Sequence, residues 1–244
     1  MSEDYKPEEL LISVIAPMLE GLGHVAVGAS SPIPAAAAML TRARSDGRLR
    51  VTVLGSQTRH VLTDGGRELF DLAGQGRIDA FFLGGGQIDG EGNVNLVGIG
   101  DYPQMKVRFP GSFGSAYLYY VVPRVILFRE EHSARVFVDK VDFISAAGTS
   151  EPDVHRPGGP YALVTGRCLM DFDKEKRRFI LKSVHAGESV DSVRESTGFD
   201  FECPDQVPET PAPDAETLKL LRGPIGEELA KTYPAFAERV FGGI

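Results

Sequence analysis

The chain has 244 residues and only two cysteines, Cys168 and Cys203. Two thiols are too few for a disulfide framework or for a zinc site built on thiolates. No apolar run approaches the ~20 residues that a membrane helix needs, so no membrane association is expected. Positive charge is scarce as well: 26 Lys and Arg stand against 34 Asp and Glu, a net charge of −8. A nucleic-acid surface needs clustered cations against phosphates, so no nucleic-acid partner is expected. The start, Met1-Ser2-Glu3-Asp4-Tyr5-Lys6, has neither the basic stretch nor the apolar stretch of a secretory signal. A cytoplasmic protein with reduced thiols is the expectation. His24, His132, His155 and His185 share no ligand spacing, and no metal site is expected. What is present is ordinary: 42% hydrophobic and 25% charged residues, the balance of a folded domain, which excludes a mostly disordered chain.

The apolar pattern alternates. Leu10, Leu11, Val14, Ile15, Met18, Leu19 and Leu22 fall on one helical stripe, which Pro17 should interrupt. His24–Gly28 reads as a buried strand, Ser30-Ser31-Pro32 as a helix start, Ala35–Ala43 as a helix and Leu49–Leu54 as the next strand. Glu68–Ala73 is helical in pattern, and the strand Ile78–Leu83 runs straight into Gly84-Gly85-Gly86. Strands and helices at these intervals predict an α/β fold: an open, mostly parallel sheet with helices on both faces. Later strand candidates, 124–128, 141–144, 161–165, 168–172 and 178–182, lie closer together. They predict a smaller antiparallel region in the C-terminal half. Four prolines between Glu202 and Asp214 suggest an extended surface connector, after which Asp214 should cap a helix over 214–222. The whole of 1–244 is read as a single domain.

In open α/β sheets, ligands bind beyond the carboxyl ends of the strands, so the loops after Leu54 and Leu83 are the places to look. Gly84-Gly85-Gly86 lets backbone approach a ligand closely, but the run is neither a dinucleotide fingerprint nor a phosphate-binding loop. A second cluster, Phe109-Pro110-Gly111-Ser112-Phe113-Gly114-Ser115-Ala116, could wrap a ligand or merely turn the chain. Ser56 and His60 share a short loop, a spacing that more often arises by coincidence than as a nucleophile and base. Asp89 and Glu91 flank the glycine loop and read first as turn and surface residues. Cys168 reads as a small core residue. Tyr117, Tyr119 and Tyr120 read as core or interface aromatics. Lys174, Lys176, Arg177 and Arg178, mixed with Asp171, Asp173 and Glu175, read as a solvated turn.

Five stretches, in order, resemble the β subunit of class I coenzyme A transferases of the glutaconate type. Gly86-Gln87-Ile88-Asp89 with Gly92-Asn93-Val94-Asn95 is similar to that family's G-x-Q-[VI]-D-x-x-G-N-[VL]-N. Pro110–Ala116 is similar to its P-G-S-G-G-A, and Val138–Ile144 to its V-x-K-V-D-[FY]-I stretch. His185-Ala186-Gly187 through Thr197-Gly198-Phe199 matches its H-P-G…T-G-[FW], and Leu218–Arg222 resembles its closing E-L-x-x-L-R. The resemblance implies an obligate α-subunit partner, in an αβ heterodimer or an α2β2 heterotetramer, with the site at their interface. It implies an acyl-CoA substrate and no tightly bound cofactor, coenzyme A being part of the substrate.

In true transferases of this type, a β-subunit glutamate in S-E-x-G forms a glutamyl-CoA thioester. Here the stretch is Ser56-Gln57-Thr58-Arg59. Gln57 stands in the glutamate's place and Arg59 in the glycine's. An amide cannot form that thioester, so no catalytic residue is assigned in this chain. A branch without the glutamate, the ring-opening hydrolases of bacterial steroid (cholesterol) degradation, is the nearer likeness. It implies a retro-Claisen-like C–C hydrolysis whose main carboxylate comes from the α subunit. The alternative is a transferase with its nucleophile elsewhere. Expected substrate- and CoA-binding residues are Ser56, Gln57, Gly84, Gly85, Gly86, Gln87, Asn93, Asn95, Gly111, Ser112, Phe113 and Gly114. Asn93 and Asn95 are expected to hold the loop rather than touch substrate.

Overall fold

The computed structural model describes residues 5–242; the reading of Met1–Asp4 therefore lies outside the described residues. The chain forms two compact units. The first gathers the chain up to Leu72, Arg77–Phe82 and everything from Pro211 onward. The second holds Ala73–Gly76 and Leu83–Thr210.

The first unit opens with α1 (Pro7–Ile15). Proline in its first turn costs no helical hydrogen bond, and Glu8 and Glu9 suit the positive end of the helix. At Pro17 the chain tightens into a short 3-10 turn, Ala16–Leu19. Three parallel strands follow: β1 (His24–Val27), β2 (Arg50–Val53) and β3 (Ala80–Leu83). β1 lies between the other two, with Val25 opposite Val51 on one side and Ala80 on the other. All four β1 residues are buried, as expected of a central parallel strand. α2 (Pro32–Arg44) packs on β1 and β2. Its residues Ile33–Thr41 are continuously buried, and the small side chains of Ala35–Ala38 permit that close approach. α3 (Gly65–Gly74) connects β2 to β3. Because β1 lies between its successors, the strand order reverses at β1.

The second unit has four strands in the order β11-β10-β9-β8. They are β8 (Arg124–Arg129), β9 (Pro160–Thr165), β10 (Cys168–Asp173) and β11 (Arg178–Val184). β8 and β9 are parallel, and β9, β10 and β11 form the antiparallel region. The mixed α/β architecture is therefore as predicted. Ahead of β8 come two small antiparallel pairs, β4 (Gln87–Ile88) with β5 (Val94–Asn95), and β6 (Gly98–Ile99) with β7 (Val107–Arg108). Next comes α4 (Ser115–Val121); α5 (Val190–Glu195) follows β11.

One predicted strand does not form. Val141–Ile144 is irregular. Its backbone is claimed by side chains instead: Asp89 accepts from the Val141 N–H and Gln87 from the Asp142 N–H. The proline-containing stretch runs beside β11, with Glu202 bridged to Ile180 and Glu209 to Val184.

Back in the first unit, Asp214 caps α6 (Ala215–Leu220) by accepting from the Thr217 N–H at 2.7 Å. A π-turn kinked at Gly223 (Leu221–Ile225) leads into α7 (Gly226–Ala230), then α8 (Pro234–Phe241). Arg222 reaches the fully buried Glu9 with two bonds, 2.7 and 2.9 Å, joining the last helices to the first. No described helix is long and apolar enough to cross a membrane.

Candidate functional site

The expected site residues fall in two clusters, one in each unit. In the first unit, the chain leaves β2 and turns back on itself: the Ser56 N–H donates to Val53 O at 3.1 Å, and the Val53 N–H to Arg59 O at 2.9 Å. Ser56 is buried and anchors this turn. Its oxygen accepts from the Thr58 and Arg59 N–H groups at 3.2 and 3.1 Å and lies 2.9 Å from the Thr232 hydroxyl. His60 is not among its partners, so the Ser56–His60 spacing makes no dyad.

Arg59 grips Glu228 on α7 with a two-pronged bond, 2.5 and 3.0 Å. That bond holds the Arg59 guanidinium above its ordinary pKa. The 226–232 segment thus fixes the turn at two points. Gln57 lies between them, exposed, and its amide makes no hydrogen bond among the described residues. Neither Glu228 nor Thr232 is visible as a site residue from sequence spacing, because each lies more than 160 positions from the loop it fixes.

In the second unit, the Gly86–Asn95 motif is a closed polar lock. Asn95 donates to the Gln87 amide oxygen at 2.7 Å and to Gly98 O at 2.6 Å, and its own oxygen accepts from the Val97 and Gly98 N–H groups. Asn93 donates to Asp89 at 3.1 Å and accepts from the Gly148 N–H at 3.0 Å. Asp89 is buried and accepts four N–H bonds, from Glu91, Asn93 (backbone and side chain) and Val141. Loss of solvent raises its pKa despite those four donors. Side chains so fully used brace the loop. Asp89 is a turn residue here, as the sequence suggested.

The three glycines are needed by the protein's own packing. A Cβ at Gly84 would stand 2.8 Å from Phe128 O, at Gly85 2.5 Å from Val94 and at Gly86 2.2 Å from the Phe109 ring. The second glycine cluster is tied to the same motif: the Gly111 N–H donates to Leu96 O and the Phe109 N–H to Val97 O. Ser112 O accepts from the Ser115 N–H and helps start α4, with Gly114 as its N-cap. Phe113 has a positive φ of 49° and is 83% exposed.

His132 and His185 serve the core. His132 lies between Thr165 and Thr197, each at 2.8 Å, and His185 between Thr210 at 2.8 Å and Thr165 O at 2.9 Å. Burial drives the His132 imidazole down to about 4 and pushes the Cys168 thiol up to about 12. A thiol with that pKa is no nucleophile at neutral pH, so Cys168 is the core residue it was read to be.

An α/β sheet reversing at β1, an anchored turn at the end of β2 and the braced Gly84–Asn95 motif define the class of protein. The chain belongs to the Coenzyme A transferase family, whose sequence model matches residues 22–196. It is 37% identical over 200 residues to the B subunit of 3-oxoadipate CoA-transferase from Pseudomonas knackmussii, covering 79% of this chain and 74% of that one. The B subunit of glutaconate CoA-transferase from Acidaminococcus fermentans is 36% identical over 148 residues, 58% and 54% of the two chains. The cholesterol ring-cleaving hydrolase IpdB subunit of Rhodococcus jostii is 29% identical over 160 residues, 64% and 62% of the two chains. The fold is also that of Rhodococcus jostii IpdAB, with a TM-score of 0.79 and 24% identity over 90% of this chain and 94% of that one.

Proposed function

We propose that this chain is the β-type subunit of a heteromeric enzyme acting on acyl-CoA thioesters, completed by an α-type partner and working in the cytoplasm. The reaction best supported is hydrolytic C–C cleavage of a cyclic CoA thioester. The observation that carries this reading is Gln57, an exposed amide without hydrogen bonds among the described residues, in the anchored turn where the covalent route needs a carboxylate. The acid that the cluster does contain, Glu228, is bound to Arg59. An amide orients water or a carbonyl but cannot carry an acyl group.

In the proposed step, a carboxylate of the partner takes a proton from water. The water oxygen bonds to a ring carbonyl carbon, the adjacent C–C bond breaks, and its electron pair passes to the neighbouring carbon as an enolate. The proton then returns to that carbon, and the thioester stays intact. Ser56 and Gln57 are polar wall. In the second unit, taken by itself, Gly84–Gly86, Gln87, Asn93 and Asn95 shape a loop assigned to CoA binding, and Gly111–Gly114 belong to the same loop cluster. The likeness to the IpdB subunit makes a steroid-derived ring thioester the first substrate to try.

The second reading is a CoA-transferase. It is favoured by the higher identity to the two transferase subunits, and it requires a nucleophile elsewhere, such as Glu91 or an acid of the partner. Mass spectrometry of CoA species separates the two. The chain is co-expressed with an α-type partner and given a cyclic CoA thioester plus acetate. An acyl-CoA heavier by one water supports the hydrolase; acetyl-CoA overturns it in favour of transfer.

A further inference from the structure

Three cations without a carboxylate partner gather at one place in the second unit. Arg156, Lys174 and Arg177 line one cavity of about 340 Å3. Among the described residues, no Asp or Glu oxygen lies within 4.0 Å of any of them. In the same hairpin Lys176 pairs with Glu202 at 2.8 Å and Lys182 with Asp171 at 2.9 Å, while Arg178, like Arg177, has no such partner among the described residues.

The cluster is built rather than loose. Arg156 is fixed by neutral groups only: Nη1 to Thr149 O and Ser150 Oγ, and Nη2 to Ala147 O and Tyr119 O. Its charge is therefore held in place by oxygen acceptors and by the rings of Tyr119 and Tyr120, whose centres lie 5.3 and 5.5 Å away, and not by a carboxylate. Lys174 donates one bond, to Gly158 O at 3.2 Å, and an ammonium has three to give. Arg177 donates from Nη2 to Ser150 O at 2.9 Å, which leaves other N–H groups of its fork unused. Ser150 Oγ accepts from Arg156, so its own O–H is free to donate. Loss of solvent, and then the charge of Arg156, hold the Lys174 ammonium below its ordinary pKa. Glu151 and Glu175 stand on the same rim and oppose part of the attraction.

We propose that this cavity binds a phosphate group, held by Lys174, Arg177 and the Ser150 hydroxyl over the fixed charge of Arg156. A fork of N–H donors beside a point charge suits a dianionic, multi-oxygen group. The phosphate is either a phosphoester end of coenzyme A, an arm that rests on the proposed thioester function, or inorganic phosphate.

The test is calorimetric titration of the full chain, in complex with its partner where one is needed, with inorganic phosphate, adenosine 3′,5′-bisphosphate, CoA and dephospho-CoA. Lys174→Gln and Arg177→Gln are compared with the native protein, with the fold checked by circular dichroism. At least a tenfold loss of phosphate or bisphosphate affinity in each variant is expected. If native protein also prefers CoA to dephospho-CoA and the variants do not, the phosphate is that of CoA. If the two cofactors bind alike while phosphate binding is still lost in the variants, free phosphate is the ligand. No phosphate binding at millimolar concentration, or variants that bind like native protein, overturns the site. Thioester turnover is read separately, so either proposal can fail without the other.

Discussion

At the residue scale, Gln57 bears on chemistry and His132 on stability. Gln57 is exposed and makes no hydrogen bond among the described residues, so its replacement leaves the fold alone. Gln57→Ala is expected to lower kcat/KM at least tenfold, about 1.4 kcal/mol of transition-state stabilisation, with unchanged melting. Turnover within twofold of native would remove Gln57 from the working residues. Gln57→Glu restores a carboxylate, and an acyl-enzyme trapped by hydroxylamine in that variant alone would show that the native route is not covalent at this position. His132 is buried, and its folded-state value of about 4 lies below the ordinary 6.5. A depressed value means that the fold favours the neutral ring. That stability is present above pH 6.5 and is lost as pH falls through about 4. The loss is on the order of 3 kcal/mol. Urea unfolding followed from pH 7 to pH 4 should show this fall, and His132→Asn should flatten it. A native curve no steeper than the variant's would refute the assignment.

At the element scale, the turn after β2 is positioned by a helix that arrives much later in the chain. The Arg59 and Glu228 side chains are only 27% and 24% exposed, so their two-pronged bond is poorly screened. A double-mutant cycle with Arg59→Ala and Glu228→Ala should give a coupling energy of about 1–2 kcal/mol in urea unfolding. If the grip positions Gln57, both single variants lower kcat more than they raise KM. A purely structural bond would leave kcat at saturating substrate untouched. The irregular Val141–Ile144 segment illustrates the same rule. Its alternating residues suit a strand, yet Gln87 and Asp89 reach it first and take its N–H groups.

At the scale of the whole molecule, the second unit exposes Tyr102, Val107, Phe113, Tyr117 and Ile144, between 44% and 83% each. Large exposed apolar side chains in such number suit a surface that a partner covers. The isolated chain is expected to self-associate at micromolar concentration in light scattering, and co-expression with an α-type partner should suppress this. A stable monomer alone would count against an obligate heteromer.

Much of this protein was legible in its residues. The βα alternation, the interruption at Pro17 and the cap at Asp214 are local, set by periodicity and by backbone hydrogen bonds within a few positions. The family likeness also lay in short ordered motifs. Other features were decided only by tertiary structure, because they depend on residues far apart in sequence meeting in space. Gly84–Gly86 looked like room for a ligand, and the fold fills that room with Phe128, Val94 and Phe109. Glu228 and Thr232 looked like ordinary helix residues until the chain brought them to Ser56 and Arg59. Lys174 and Arg177 looked like a solvated turn, and only the arrival of Arg156 from another loop makes them a cluster of unpaired charge around a cavity.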